Sequence, residues 1–194
     1  MIHALGGIST AFGLAGSAGL NAYIPLLLVA LAARFPLKDP LLNLTEPYDV
    51  LGSWWAIGIL VVLLLIEMTV DKIPAVDTLN DGIQTFIRPT AGAILFAANA
   101  NIINDIHPVI ALTAGLLVAG GVHAAKGVAR PVVTAATAGT GNWLVSLIED
   151  IAAFFMSLVS ILLPLLAGIA FLVFIFYFVR WFRHRKKKKE MVFQ

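Results

Sequence analysis

Between Glu67 and Arg88 the chain reads Glu67-x3-Asp71-Lys72-Ile73-Pro74-x2-Asp77-x3-Asp81, then Arg88-Pro89. Four carboxylates and two cations so close together are dense for a chain that is 12% charged. Glu67 and Asp71 are four apart, as are Asp77 and Asp81, so each pair shares a helix face. Carboxylates placed this way can carry protons, hold cations or balance buried bases. A second group reads His123-x2-Lys126-x3-Arg130-Pro131, with Asn142 and then Glu149-Asp150 downstream. The spacing i, i+3, i+7 puts His123, Lys126 and Arg130 on one helix face. Like charges four apart repel. Lys126 and Arg130 therefore need acids nearby, and the first group has acids in excess. Asn21 adds a polar break inside an otherwise apolar stretch.

Arg-Pro occurs twice, at 88–89 and 130–131. Proline suits the first turn of a helix, so each pair predicts a helix start with Arg just before it. Helix starts carry free N–H groups and partial positive charge, and Arg binds oxyanions with a planar fork. Two such starts predict a site for a phosphate, a carboxylate or a lipid head group. A structural lattice of Glu67, Asp71 and Asp77 with Lys126 and Arg130 explains much of the same pattern without a ligand, because intramembrane charges are usually paired. Lys72 and Arg88 taken singly also fit snorkelling at an interface. His123 with Glu67 or Asp71 is the one grouping that suggests metal or general-base chemistry, and its spacing is no metal signature. The sequence has no nucleophile elbow, P-loop, dinucleotide fingerprint or zinc-protease motif, and it points to no particular cofactor. With no Cys, disulfides and thiolate chemistry are excluded.

The elements that must position these groups are apolar. Hydrophobic residues make up 60% of the 194, and the mean hydropathy is +0.94. A soluble domain is about half apolar and about a quarter charged, so that class is excluded. The expected fold is all-α, a polytopic transmembrane helical bundle of about five main apolar segments. The first runs from about Leu5 to Ala33, with Pro25 breaking it near Gly19–Tyr23. Gly13, Gly16 and Gly19 would let another helix approach closely. The second runs from Trp54 to Val70 and ends before Pro74. A short helix carrying Asp77 and Asp81 follows, then a short or re-entrant segment over about Pro89–Ile103. The fourth covers about Pro108–Ala125. The last runs from Leu147 to Phe182, read as one long helix kinked at Pro164 in preference to a hairpin there.

The formal net charge of +2 divides unevenly. Residues 180–194 hold seven Lys or Arg and one Glu, so that segment is +6 and the rest is −4. We read residues 1–179 as one membrane domain and 180–194 as a basic cytoplasmic tail. The tail suits anionic lipid, and the acidic body argues against nucleic acid. Counting alternate crossings, regions 71–88 and 126–146 lie on the side opposite the tail, together with the N-terminus. The expected location is the cytoplasmic (inner) membrane.

The chain resembles an uncharacterised bacterial integral-membrane family, domain of unknown function 4126. The resemblance rests on Ala18-Gly19-Leu20-Asn21-Ala22-Tyr23-Ile24-Pro25-Leu26, on Glu67 to Asp77, and on Arg88-Pro89 with Ala91-Gly92. In the second half it rests on His123, Lys126 and Arg130, on Asn142, and on Ser146-Leu-Ile-Glu149-Asp150. It spans roughly residues 10–165. Trp143 departs from it, standing where the family has Pro, and so does Asn21, where many members carry Arg. The resemblance implies a membrane fold and assigns no activity. From the residues themselves the leading expectation is a small transporter or channel-like protein. Its ligand or ion site would draw on Asn21, Glu67, Asp71, Lys72, Asp77, Asp81, Arg88, His123, Lys126, Arg130, Asn142, Glu149 and Asp150. A membrane-embedded metal- or His-dependent enzyme is a second reading. A structural or lipid-binding membrane protein, which the glycine stripe would allow to be a homo-oligomer, is a third.

Overall fold

A computed structural model describes residues 2–35, 42, 44, 46–70, 74–99, 106–137, 140–164, 166, 169, 172–173, 175–177 and 179–180. Side chains 2–5, 74–79 and 81 lie outside that description. The described residues are helical apart from turns and one isolated bridge, Leu44 with Asn99.

Two residues, Asn21 and Ala22, separate α1 (Ile2–Leu20) from α2 (Tyr23–Arg34). The expected break is therefore present, and it reverses the chain. Tyr23 at the start of α2 lies near Gln84, Glu67 and Arg88. Arg34 at its other end sits over the Trp54 ring, 5.0 Å from its centroid. Trp54 closely follows a 3-10 turn, Tyr48–Gly52, whose Tyr48 packs with Ile8 and Phe12 near the start of α1. So α2 runs back alongside α1.

The second expected segment is α3, Trp54–Val70, with the boundaries read from sequence. Pro74 opens α4, as its fixed φ and missing donor favour. Here the structure corrects the sequence reading. The helix does not stop and restart at Pro89; α4 runs unbroken from Pro74 to Ala97 with Pro89 inside it. Likewise α5 runs from Pro108 to Thr137 with Pro131 inside it. Neither Arg-Pro pair is a helix start, so the predicted anion site at two helix N-termini is not formed. Pro89 lacks its own N–H, and its ring faces Gly120 of α5, where even an added Cβ would meet it at ordinary van der Waals distance. The last helix, α6 (Asn142–Leu162), begins five residues before the expected Leu147. Leu163 is non-helical, and described residues from Pro164 to Arg180 are helical again. The rest of the basic tail, 181–194, lies outside the described residues.

Helix directions follow from the contacts. Phe12 meets Phe96 edge-on, and Gly92 faces the Ala15 carbonyl, so α1 and α4 are antiparallel. Ser17 shares a hydroxyl hydrogen bond with Ser157, and Thr10 donates to the Ser160 carbonyl, so α1 and α6 are antiparallel too. Such polar links between apolar helices act as glue at buried seams. The helices thus form three hairpins, α1–α2, α3–α4 and α5–α6, all turning at one end. The start of α1 lies at the opposite end, which corrects the expectation that the N-terminus shares a side with the polar regions.

The tightest seam is between α4 and α5. A Cβ on Gly92 would overlap Ala119 Cβ and the Gly115 carbonyl; one on Gly115 would overlap the Gly92 carbonyl. Gly19 of α1 faces the same surface, where a Cβ would stand 2.5 Å from the Ala119 carbonyl. Of the glycine stripe read from sequence, Gly13 and Gly16 are buried as well. Two helices, α5 and α6, are long and apolar enough to cross a membrane, and α2 and α3 are shorter apolar helices. Gly92→Val should force α4 from α5 and destabilise the protein by about 1–3 kcal/mol. Gly121→Ala, which meets nothing within 4 Å, should be neutral or stabilising by roughly 0.5–1 kcal/mol. Equal thermal midpoints for the two purified variants would refute this account of the seam.

Candidate functional site

The end where the three hairpins turn holds the polar residues. α3 and α5 carry charge on the stripe they bury. In α3 that stripe is Ile57, Leu60 and Glu67; in α5 it is Ala111, Gly115, Ala119, Lys126 and Arg130. The helix face predicted for Lys126 and Arg130 is therefore correct, and it prolongs an apolar stripe into the bundle. On α4, Gln84 and Arg88 are four apart, and each is 1% exposed.

Arg88 Nη2 donates to Glu67 Oε1 at 3.1 Å, and both side chains are almost fully buried. On its other side Arg88 Nη1 lies 3.4 Å from His123 Nδ1. A guanidinium has only donors. His123 therefore accepts at Nδ1, and its proton sits on Nε2, which faces Thr85 Oγ1 at 3.2 Å. Arg88 thus stands between His123 and Glu67, so the pairing of those two imagined for metal or base chemistry is not formed. Among the described residues no group of three His, Asp or Glu side chains is placed to hold a metal ion.

The second half of the site is built on Glu149. Its Oε2 accepts from Lys126 Nζ at 2.7 Å and from Arg130 Nη2 at 3.3 Å. Arg130 also donates to Ser146 Oγ at 3.2 Å. Lys126 reaches the Leu20 carbonyl of α1 at 3.5 Å. That places a cation where the last turn of a helix has unpaired carbonyls and partial negative charge. Asn21 works in both directions. Its Oδ1 accepts from the N–H groups of Tyr23 and Ile24 at 2.9 and 3.1 Å, which caps α2. Its Nδ2 donates to Asp150 Oδ1 at 2.9 Å. The position where the resembled family often has Arg therefore faces a carboxylate.

Of the residues named from sequence, the structure brings together Asn21, Glu67, Arg88, His123, Lys126, Arg130, Glu149 and Asp150. Asn142 joins at the rim, accepting from Thr134 Oγ1 at 3.0 Å. Asp77 and Asp81 lie on the first turns of α4, with side chains outside the description; Asp71 and Lys72 lie outside the described residues. Gln84 and Thr85 were missed. Gln84 stands one turn before Arg88, a signal hidden by reading Pro89 as a helix start.

Beside these pairs lies a cleft of about 600 Å³ between α4, α5 and the start of α6. Among the described residues its polar lining is Thr85, His123, Lys126, Arg130, Thr134 and Asn142, and its other walls are Gly, Ala and Pro. Glu67 and Glu149 lie behind the cations and not among the lining residues. Such a cleft can present positive charge and hydroxyl groups to a ligand while the counter-charges remain in the protein.

Because a buried charge that loses its partner is costly, Glu67→Ala should destabilise the fold by about 3–5 kcal/mol. Replacing both partners, as Glu67→Met with Arg88→Met, should recover most of that loss. Thermal unfolding of the three proteins checks this; a single variant as stable as the parent would contradict it.

No curated protein and no solved structure matches the chain. A family model described as a domain of unknown function (DUF4126) matches residues 8–184, a stretch that takes in all but the first turns of α1 and every residue of the cluster. The chain belongs to the DUF4126 family.

Proposed function

We propose that this chain is an integral membrane protein that binds a small anionic group in the cleft beside Lys126 and Arg130 and passes it across the bilayer. The observation that carries the reading is a cation-lined cleft built on helices whose outward faces are apolar. Only 17% of the apolar window of α5 and 28% of that of α6 is buried inside the molecule. A core helix of a soluble protein would be mostly buried, so these faces suit lipid. Ile59, Val62, Leu65 and Ile66 of α3 are exposed in the same way. Trp54 and Trp55 at one end and Trp143 at the other are also exposed, as residues of the two membrane interfaces are. The reversal at Asn21–Ala22 adds a broken helix beside intramembrane charge, an arrangement used for solute binding in transporters.

In this reading Lys126 and Arg130 hold the anion, and Thr134 and Asn142 orient it. Glu149, Glu67 and Arg88 keep the cluster charge-balanced when the cleft is empty. The basic tail lies in the cytoplasm, where it meets anionic lipid. The protein resides in the cytoplasmic membrane.

The test is reconstitution in liposomes with anion flux measured under an imposed gradient. We expect flux of at least one small inorganic or carboxylate anion, reduced tenfold or more by Lys126→Gln and unchanged by Arg34→Gln, which lies at the far end. Folded, reconstituted protein that neither binds nor moves any such anion would end this reading.

A further inference from the structure

Resting on the anion-binding reading, we propose that the anion this cleft takes is the head group of an anionic membrane lipid, which enters sideways from the bilayer between α4 and α5. Three observations point to a lipid and away from a water-borne ion.

The first is depth. α5 has 30 residues, about 45 Å at 1.5 Å per residue, against a hydrocarbon core of about 30 Å. With Pro108 at one interface, roughly its last ten residues reach the head-group layer; these carry Arg130 and Thr134, and Lys126 stands just beneath them. Exposed Trp143, adjacent in sequence to the lining residue Asn142, marks the same level.

The second is the rim. The lining residues Gly82 and Thr85 alternate along α4 with Ile83 and Phe86, which are 59% and 77% exposed. On α5, Gly127 and Pro131 alternate with Val128 and Val132, which are 62% and 69% exposed. A cleft meant for a hydrated ion would be bordered by polar groups. This one is bordered by large apolar side chains on both helices, which suit acyl chains. The glycines and proline between them keep the opening wide.

The third is donor chemistry. The Lys126 ammonium has three N–H donors. Glu149 and the Leu20 carbonyl take two, the second at 3.5 Å. One donor remains on a residue that lines the cleft. A phosphodiester needs one cationic contact and neutral donors, and the Asn142 amide, which the Thr134 hydroxyl fixes at its Oδ1, brings N–H donors to the same walls.

The experiment is native mass spectrometry of the full chain, with thermal midpoints in detergent. The additives are phosphatidylglycerol, phosphatidylcholine as the uncharged-net control, and inorganic phosphate. We expect phosphatidylglycerol to be retained and to raise the midpoint by several degrees, with phosphatidylcholine doing neither. Lys126→Gln should reduce retention at least tenfold. Changing Lys186, Lys187, Lys188 and Lys189 together to Gln should leave the Lys126-dependent lipid in place, which separates the cleft from the tail. Thr134→Val, which breaks no ion pair, should weaken retention several-fold and serves if Lys126→Gln does not fold. Retention that is indifferent to both cleft variants overturns the proposal. Stabilisation by inorganic phosphate, lost in Lys126→Gln, with no effect of lipid overturns it while leaving the anion-binding reading intact. If neither additive binds, both fall.

Discussion

A charge placed on the buried face of an apolar helix must meet its opposite inside the bundle, and much of this structure follows from that requirement. An unpaired Lys, Arg or Asp near the centre of such a helix costs about 2.5–3.5 kcal/mol in a membrane. Here Lys126 and Arg130 of α5 share Glu149 of α6, and Arg88 of α4 meets Glu67 of α3. These pairs fix the sliding register of helices whose remaining surfaces are Leu, Val, Ala and Gly and would tolerate other registers. The Asn21–Asp150 hydrogen bond does the same for α1 and α6. Specificity of arrangement comes from the few polar positions, and the apolar area supplies the bulk of the cohesion.

The sequence was legible where local rules act alone. α3 has the boundaries that Trp54 and Pro74 predict, Pro108 opens α5, and the break beside Pro25 is present. The common face of His123, Lys126 and Arg130 was legible too, because 3.6-residue periodicity fixes it without knowledge of neighbours. Two features were not. Proline at 89 and 131 was read as a start signal, but proline is tolerated within a helix when neighbouring helices compensate. Whether they do depends on what α4 packs against, which is a tertiary fact. The reversal at Asn21–Ala22 was likewise hidden. A break is local, but its direction depends on where Tyr23 and Arg34 find partners.

The three hairpins give the polar cluster a particular construction. Among the described side chains no single helix holds a complete set of groups: the acids come from α3 and α6, the cations from α4 and α5, and the amide from the α1–α2 turn. Such a site cannot form before the helices associate. Pairing within the α5–α6 hairpin, Lys126 and Arg130 with Glu149, joins elements that are neighbours in sequence.

The Gly92–Gly115 contact has a mechanical meaning. Where side chains separate two helices, small displacements are absorbed by rotamer changes. Backbone against backbone leaves nothing to absorb them, so α4 and α5 can move relative to each other only as rigid rods turning about that point. Thr85 and His123 stand about 10 Å along the rods on one side, at roughly 1.5 Å per residue, and Phe96 packs close to the point on the other. Widening the cleft by a given distance then demands roughly half that movement near Phe96, about 6 Å along the rod on the other side. The glycine contact is a fulcrum placed so that the end holding the charges is the long arm.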